Sequence, residues 1–554
     1  MDPITVEVIR GGLVYAAEEM GIVLRKTAYS HNIKERMDHS CAIFDGRGRL
    51  VAQAEHIPVH LGSMSIALKN CLREIDFPLN KGDMVVFNDP YISGTHLPDI
   101  TLIAPIYEGE RLLGYVVNKA HHSDVGGKTP GSLPGDASEI YQEGIIIPPV
   151  KLVERGEIVR DVLKLILSNV RTPKIRMGDL RAQIAANLLG IRRFREITGK
   201  FGVNVVNEAI ESILDYSERR IRKKISEIKE GTYEAEDYLE STGVEDKPVK
   251  LKVRVQVKGD EISFDYTGTD PQVNGPVNAV FGVTLAGIYY VLMCVTDPTI
   301  PMNDGCFRPV SVNVPRGCVL NPIRPAPVGG GNVETSQRNV DVLFKALSEA
   351  IPHKVCAAGQ GTMNNVCVGG RDASGKQWVF YETIGGGYGG RYGLDGVDGV
   401  QVHMTNTMNT PIEAIEASYP ILFLRYELRK DSCGAGRWRG GCGIIRSWKL
   451  LGERASLSLM AERHKMAPWG LFGGKPGATG KALIIKSDGR RIELPSKCTI
   501  TMERGDVFTI MTPGGGGYGD PRERDKESIL MDLENELISE EKAIEDYGIR
   551  LQRS

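Results

Sequence analysis

Two polar segments, Asn88 to Asp99 (NDPYISGTHLPD) and Asn118 to Asp124 (NKAHHSD), enclose the stretch that decides the local fold. Within it, Thr101 to Tyr107 (TLIAPIY) and Arg111 to Lys119 (RLLGYVVNK) are rich in β-branched and apolar residues, which is typical of strands. The residues between them, Glu108 to Glu110, contain a glycine and fit a short turn. The sequence therefore predicts an antiparallel hairpin that brings the two polar segments together.

The pairing of this hairpin determines which side chains meet. A turn centred on Gly109 places His121 opposite Leu97, and shifting the turn by half a residue moves that partner by only one position. Paired Cβ atoms in a sheet lie about 5 Å apart, which is close enough for their side chains to bind one metal ion. His121 is therefore expected beside the segment that contains His96 and Asp99.

His96, Asp99 and His121 are the candidate metal ligands. The first two are three residues apart and would point to opposite faces of a straight strand, but Gly94 and Pro98 indicate a bend. Two imidazoles and a carboxylate suit a divalent ion such as Zn or Mn. Three protein ligands leave the open position of a catalytic site. The alternative is that these side chains are ordinary polar loop residues.

The composition argues against several classes of protein. With 554 residues the chain is long enough for about three or four domains. A net charge of −2 without a basic stripe argues against binding to nucleic acid or to an anionic membrane. The ten cysteines include no C-x-x-C pair, and the N-terminus MDPITVEV lacks the apolar core of a secretory leader. These features predict a cytoplasmic protein.

We expect an α+β, multidomain fold: a mixed N-terminal α/β metal-bearing region, a central mixed region and a β-rich C-terminal domain. Apolar periodicity predicts helices at Val6 to Thr27, Ser63 to Ile75 and Val205 to Lys229. The uncharged run from Ala279 to Val295 is too short to cross a bilayer comfortably, so a buried helix is favoured over a membrane span. The expected divisions are 1–203, 204–330 (long helix, β-meander and buried helix), 331–432 (glycine-rich), 433–521 (β domain) and 522–554 (charged helical tail).

Glycine-rich loops in this chain do not indicate a nucleotide site. The nearest approach to a Walker A loop, Gly480-Lys481, is followed by Ala482 rather than by Ser or Thr. The runs that begin at Gly329, Gly385 and Gly514 lack a clean strand-to-helix junction, so a dinucleotide site is not indicated either. Most of these glycines are expected to serve turns with positive φ, although their backbone N–H groups are also able to bind an oxyanion.

Three other polar groups have more than one interpretation. Glu35 to Ser40 and Glu334 to Asn339 either line a cleft or form a solvated surface. His56 and His60 have the spacing of two ligands on a helix, but Pro58 lies between them and makes a helix unfavourable there.

Eight long motifs occur in one order along most of the chain. They are ERMDHSCAIFD from Glu35, HIPVHLGSM from His56, NDPYISGTHLPD from Asn88, GGKTPGSLPGD from Gly126, ETSQR from Glu334, GGGYGGRYGLDG from Gly385, RWRGGCG from Arg437 and TPGGGGYGDP from Thr512. At these residues the chain resembles the hydantoinase B family. That family includes the B component of N-methylhydantoinase, the C-terminal part of 5-oxoprolinase, and subunits of caprolactamase and of the acetone and acetophenone carboxylases.

The resemblance implies a metal-binding subunit that works with an ATP-binding partner. In this family a hydantoinase A component binds ATP, which activates the oxygen of a lactam, imide or ketone. The B component binds a metal through His-x-x-Asp and a later His, and these positions match His96, Asp99 and His121. The residues expected to support acid–base chemistry are Asp38, Asp89, His122 and Asp124.

The function implied by the resemblance is the hydrolytic opening of a small cyclic amide, such as 5-oxoproline or a hydantoin. The enzyme would be a hetero-oligomer in which this chain carries Zn or Mn and its hydantoinase A-type partner carries ATP. A second interpretation is the same machinery used as an ATP-dependent ketone carboxylase. A third is a catalytically silent scaffold for the partner ATPase, which the intact candidate ligands disfavour.

Overall fold

The computed structural model of the chain describes residues 1–54 and 56–549. Its first part alternates helices and strands. In order, the elements are α1 (Pro3–Thr27), α2 (His31–Lys34), β1 (His39–Asp45), β2 (Leu50–Gln53), α3 (Pro58–Glu74), β3 (Met84–Phe87), α4 (Pro90–Ser93), β4 (Asp99–Glu108), β5 (Arg111–His121), β6 (Val150–Glu154), β7 (Glu157–Ile158), α5 (Arg160–Ser168), α6 (Pro173–Phe201) and α7 (Val203–Ile225). The predicted first helix and both strands of the predicted hairpin are confirmed.

A seven-stranded sheet with the order β2-β1-β5-β4-β3-β6-β7 holds this part together. Successive side chains of a strand point to opposite faces. Leu102 of β4 accordingly packs in the core layer shared with α1 and α6, whereas Ile103 packs in the layer formed with α3. Burial on both faces explains why β4 reads as a continuous apolar run rather than as an alternating one.

The register of the hairpin differs from the predicted one by two positions. Asp99, not Leu97, pairs with His121. The turn is centred half a residue beyond Gly109, and a bulge adds one unpaired residue, Leu113, to β5. The consequence is that a carboxylate and an imidazole stand directly opposite each other at the end of the hairpin.

Residues 231–347 add a second sheet and two buried helices. The elements are β8 (Gly231–Leu239), β9 (Val249–Lys258), β10 (Glu261–Asp265), α8 (Phe281–Val295), β11 (Val310–Asn313) and α9 (Ser336–Leu347). The sheet has the order β11-β10-β9-β8, and α8, the uncharged segment, packs against α3 and α9. Within residues 1–54 and 56–549, no helix has both the length and the apolar character needed to span a bilayer.

The last part of the chain is rich in strands. Its elements are β12 (Asn365–Arg371), β13 (Gln377–Glu382), α10 (Ile412–Ser418), β14 (Ile421–Leu428), β15 (Ile444–Leu450), β16 (Arg454–Met460), β17 (Lys481–Ile485), β18 (Arg491–Leu494), β19 (Lys497–Glu503), β20 (Val507–Met511), α11 (Lys526–Glu534) and α12 (Glu540–Tyr547). They form the sheets β13-β12-β16-β19 and β14-β15-β20-β17-β18. Each sheet joins strands from before and after residue 433, so the boundary proposed there falls inside shared sheets. The mixed α+β class is confirmed, and the domain divisions stay a prediction.

Three element boundaries differ from the predicted ones. The helix expected from residue 63 begins at Pro58, which occupies the first helical turn, where its missing N–H leaves no bond unmade. α7 ends at Ile225 rather than at Lys229, and Gly231 opens β8. The charged tail is two helices, α11 and α12, and its last residues, 550–554, lie outside the described residues.

The glycine-rich loops of the last part depend on close backbone approach. The expectation that these glycines serve turns with positive φ is wrong for Gly385–Gly390 and Gly514–Gly517, whose glycines do not adopt it. A Cβ added to Gly387 would lie 2.0 Å from the carbonyl oxygen of Gly441, and one added to Gly515 would lie 2.0 Å from that of Tyr388. Glycine is needed there because any side chain would collide with a neighbouring backbone.

Gly62 of α3 tests the packing beneath the hairpin. A Cβ added to it would lie 2.3 Å from the Cα of Ala286 in α8. Gly62→Ala must push the two helices apart, so we expect urea denaturation to show a loss of about 1–3 kcal/mol in the free energy of unfolding. Gly11→Ala on α1 is the control, because nothing lies within 4 Å of its added Cβ. Equal stability of the two variants would contradict the close approach of α3 and α8.

Candidate metal centre

Three elements deliver the candidate ligands to one point. His96 lies in the turn after α4, Asp99 opens β4 and His121 closes β5. Gly94 has a φ of +74°, which turns the chain ahead of His96 and confirms the predicted bend. His96 Nε2, Asp99 Oδ1 and His121 Nδ1 are 3.0–3.2 Å from one another. All three side chains are buried, so the structure brings the predicted trio together out of contact with solvent.

The contacts of His96 determine where its ring carries the proton. Nδ1 lies 3.1 Å from the carbonyl oxygen of Gly329, which only accepts hydrogen bonds, so the neutral ring is protonated at Nδ1. Nε2 therefore presents a lone pair to Asp99 Oδ1, which carries lone pairs of its own. This contact is repulsive unless a proton or a cation lies between the two atoms. A histidine that binds a metal characteristically donates its other N–H to a carbonyl or carboxylate in this way.

An unpaired buried carboxylate oxygen also points to a cation. Asp99 Oδ2 has no hydrogen-bond partner among the described residues, and an unpaired buried polar atom costs about 1–3 kcal/mol or more. Ligands that lie about 2.0–2.2 Å from one ion are roughly 3.0–3.5 Å from one another, which is the spacing of the trio. His96, Asp99 and His121 therefore fit a divalent ion of the Zn or Mn type.

The electrostatics of the cluster keep its carboxylate ionised. Burial by itself would raise the pKa of Asp99, but the neighbouring rings of His96 and His60 hold that pKa well below its usual value. Burial lowers the pKa of His121. Burial acts on His96 in the same direction, yet the Asp99 carboxylate outweighs it and the pKa of His96 is raised. An ionised Asp99 is the form that binds a cation.

Two rings outside the predicted set flank the cluster. His60 Nε2 lies 3.3 Å from Asp99 Oδ2, without the geometry of a hydrogen bond, and the ring of Tyr381 stacks on His121 with centroids 4.8 Å apart. Pro58 begins α3, so His56 lies ahead of the helix and His60 lies in its first turn. Proline is well tolerated in the first turn of a helix, and this rule is the sequence signal that could have placed His60 on a helix near the cluster.

The trio lies against a very small cavity. It has a volume of about 20 Å³ and its lining includes Asp38, His60, Asn332 and Thr383. This volume holds about one water molecule or ion. A ring-sized substrate therefore needs the cavity to open.

Thr383 also contacts two residues that line an open cleft. The cleft has a volume of about 640 Å³, and its lining includes Gln401, Thr407 and Met408. Thr383 Oγ1 accepts a hydrogen bond from Gln401 Nε2 at 3.0 Å and lies 2.8 Å from Thr407 Oγ1. Thr383 lines the cavity, and Gln401 and Thr407 line the cleft, so hydrogen bonds between side chains connect the two walls.

The structure brings one of the four expected acid–base residues to the cavity. Asp38 lines it. Asp89 instead caps α4, where it accepts a hydrogen bond from the backbone N–H of Tyr91, and it forms an ion pair with Arg324.

Asp124 and His122 have contacts outside the cavity lining. Asp124 accepts hydrogen bonds from the backbone N–H groups of Gly126 and Gly131 and from Arg171. His122 Nε2 lies 2.9 Å from Gln183 Oε1 on α6. Burial lowers the pKa of His122 to about 4, so its ring is neutral at pH 7 and Nε2 donates to Gln183.

The two polar clusters that the sequence left open are largely buried. In the first, Arg36 is fully enclosed and donates a hydrogen bond to Thr383 Oγ1 at 2.7 Å. In the second, Arg338 is fully enclosed near Asp237 and Glu462. The interpretation of these segments as solvated surface is wrong.

Glu143 is a further residue that the sequence did not indicate. It is buried, and its carboxylate accepts hydrogen bonds from the backbone N–H groups of Val328 at 3.1 Å and Gly329 at 2.8 Å. Burial raises the pKa of Glu143 to about 7. Because Gly329 also offers its carbonyl to His96, Glu143 holds in place the backbone that orients this ligand.

Comparison with known proteins identifies the family of this chain. The family model described as Hydantoinase B/oxoprolinase matches residues 2–521. The chain belongs to the hydantoinase B/oxoprolinase family. An uncharacterised protein of Methanocaldococcus jannaschii is 51% identical over 100% of this chain and 96% of that protein. A protein of Pseudomonas sp. (strain NS671), provisionally named as the B component of a D-/L-hydantoinase, is 37% identical over 100% of this chain and 96% of its own length.

Longer members of the hydantoinase B/oxoprolinase family also match. The 5-oxoprolinase 1 of Arabidopsis thaliana is 39% identical over 91% of this chain but over 40% of its own length. The chain therefore spans about two fifths of the length of that 5-oxoprolinase.

Two solved structures share the fold. The ATP-dependent caprolactamase from Pseudomonas jessenii superimposes with a TM-score of 0.93 at 31% identity, covering 100% of this chain and 97% of that one. A nucleotide-free acetone carboxylase also reaches a TM-score of 0.93, at 19% identity, covering 100% of this chain and 80% of that one. The family predicted from the sequence motifs is confirmed.

Each of the three ligands should be necessary for metal binding. Purified His96→Ala, Asp99→Ala and His121→Ala should lose bound Zn or Mn in elemental analysis. Their affinity should fall by more than the roughly 10- to 100-fold that loss of an outer partner costs. His403→Ala is the control, because its ring is also buried but lies outside the cavity lining. Full metal content in the three ligand variants would disprove the assignment.

Removing the ion should also destabilise the fold. A ligand present at 100 times its Kd adds about 2.7 kcal/mol to the free energy of unfolding. Urea denaturation of the metal-loaded chain should therefore show a loss of about that size when a chelator is added. In Asp99→Ala the chelator should change nothing, because no ion is left to remove. A wild-type chain that is insensitive to the chelator would count against the site.

Proposed function

We propose that this chain is the metal-binding subunit of an ATP-dependent hydrolase that opens a small cyclic amide of the hydantoin or 5-oxoproline class. The observation that carries the proposal is the buried trio His96 Nε2, Asp99 Oδ1 and His121 Nδ1, whose atoms lie 3.0–3.2 Å apart. Membership of the hydantoinase B/oxoprolinase family and full-length similarity to a protein named as a hydantoinase B component support it.

In this proposal the trio and its neighbours have different chemical roles. A divalent ion, Zn or Mn, held by the trio would supply Lewis acidity to the reacting carbonyl group. Asp38, on the cavity wall, is placed to accept the proton of the attacking water. The Tyr381 ring, stacked on His121, limits access of bulk water from that side. The supporting residues Asp89, His122 and Asp124 act through the hydrogen bonds that fix the segments around the cavity.

ATP is assigned to a partner of the hydantoinase A type. The sequence has no Walker A loop. The Pseudomonas relative is named as one component of a hydantoinase, and the caprolactamase is described as ATP-dependent. The matched 5-oxoprolinase has more than half its length outside the match, which is room for an ATP-binding segment in the same polypeptide. We place the hetero-oligomer in the cytoplasm, in keeping with ten free cysteines.

A ketone carboxylase is the second candidate, because acetone carboxylase shares this fold. A silent scaffold is the third. The buried cluster counts against the scaffold, since lone pairs held together out of water lower stability unless a ligand compensates them.

The experiment uses this chain co-purified with its ATP-binding partner. ADP release and ring-opened product are measured with 5-oxoproline, with hydantoins, and with acetone plus bicarbonate. We expect a cyclic amide to stimulate ADP release, and His121→Ala to lower ring opening by at least about 100-fold. Gly11→Ala, on the exposed side of α1, is the control and should keep full activity.

The outcomes separate the three candidates. Stimulation by acetone and bicarbonate alone would establish the carboxylase in place of the hydrolase. Ring opening that is unchanged in His121→Ala would show that the trio takes no part in turnover.

A further inference from the structure

One polar side chain of the metal cavity has no role so far. Asn332 is 4% exposed and lines the cavity together with His60, His96 and His121. Its side-chain Oδ1 is buried and has no hydrogen-bond partner in the described part of the chain. Because an unpaired buried acceptor costs about 1–3 kcal/mol, an unexplained one in a cavity points to a ligand that pairs with it.

The local backbone explains why a carboxamide reaches this place. Gly331–Thr335 form a π-helical turn ahead of α9, a distortion often found at functional sites. A Cβ added to Gly331 would lie 1.8 Å from the carbonyl oxygen of Asn278, so glycine lets the turn press against its neighbour. The run that begins at Gly329 thus contributes to the cavity at two points. The carbonyl oxygen of Gly329 orients His96, and Asn332, which follows Gly331, lines the cavity.

We propose that the carboxamide of Asn332 binds the ring amide of the substrate and selects secondary cyclic amides. A carboxamide presents an acceptor and a donor side by side. The amide of a small ring is held cis, so its N–H and C=O also lie side by side. The ring N–H donates to Oδ1 while Nδ2 donates to the ring oxygen. A linear secondary amide is trans and offers one partner at a time.

The same pairing separates amides from ketones. A ketone has the oxygen but no N–H, so Oδ1 of Asn332 stays buried and unpaired when a ketone binds. Sites built to pair with an N–H discriminate strongly against analogues that lack it. The inference rests on the proposed function and adds the group that recognises the substrate.

Three probes of equal ring size test this pairing: 2-pyrrolidinone, N-methyl-2-pyrrolidinone and cyclopentanone. Their affinities for the metal-loaded complex with its partner are measured without ATP by ligand-observed NMR titration. The wild type should bind 2-pyrrolidinone at least about tenfold more tightly than the other two, because only this probe makes both hydrogen bonds. Asn332→Leu keeps a similar volume without polar atoms, so it should bring the three affinities to within about twofold.

Val333→Ala is the matched control. Val333 lines the same cavity and is equally buried, but it has no side-chain hydrogen-bonding atom. Trimming it should change all three affinities together and leave the preference for 2-pyrrolidinone intact.

The outcomes are decisive for Asn332. Equal affinities in the wild type, no binding of any probe, or a preference that persists in Asn332→Leu would overturn the inference. Thermal unfolding and metal content report whether Asn332→Leu is folded. Asn332→Ala is a second variant if Asn332→Leu does not fold. The comparison of the three probes on the wild type needs neither variant. Failure of the proposed function looks different, because no cyclic amide would then stimulate ADP release whatever the probes show.

Discussion

Asp99 and His121 face each other across β4 and β5, and this buried contact between a carboxylate and an imidazole determines which charges and hydrogen bonds the neighbouring residues must supply. A carboxylate removed from water needs positive charge and hydrogen bonds to compensate it. His96 and His60 lie 3.2 and 3.3 Å from its two oxygens. Because the ring of His96 turns its proton toward Gly329, the shared centre is left with converging lone pairs that only a cation or additional protons satisfy.

The surrounding structure makes the ligand positions rigid. Two of the three ligands begin or end strands in the interior of a seven-stranded sheet, where packing on both faces leaves little freedom. Lys119, two residues before His121, donates hydrogen bonds to Ser63 Oγ, Ser93 O and Thr95 Oγ1. These bonds tie β5 to the loop that carries His96, so the strand and the loop hold their relative position without a metal.

Local pattern was enough to predict the hairpin and the meeting of His96, Asp99 and His121, and the ordered motifs were enough to predict the family. β-branched runs and a glycine turn are short-range signals, and a shift of two positions in register still left His121 beside Asp99. The exact pairing was missed because it depends on a bulge at Leu113, for which Gly114, the next residue, is the sequence signal. The partners of the trio were beyond reach for another reason. Glu143 and Asn332 arrive from distant segments, and contacts of that kind leave no periodicity in the chain.

The central claim is that one ion is bound by two imidazoles and one carboxylate from this hairpin. Anomalous diffraction from crystals of the purified chain, recorded on both sides of the Zn and Mn absorption edges, tests it most directly. We expect an anomalous peak about 2.0–2.2 Å from His96 Nε2, Asp99 Oδ1 and His121 Nδ1. Crystals of an active preparation with the peak elsewhere, or with no peak at these three atoms, would contradict the claim.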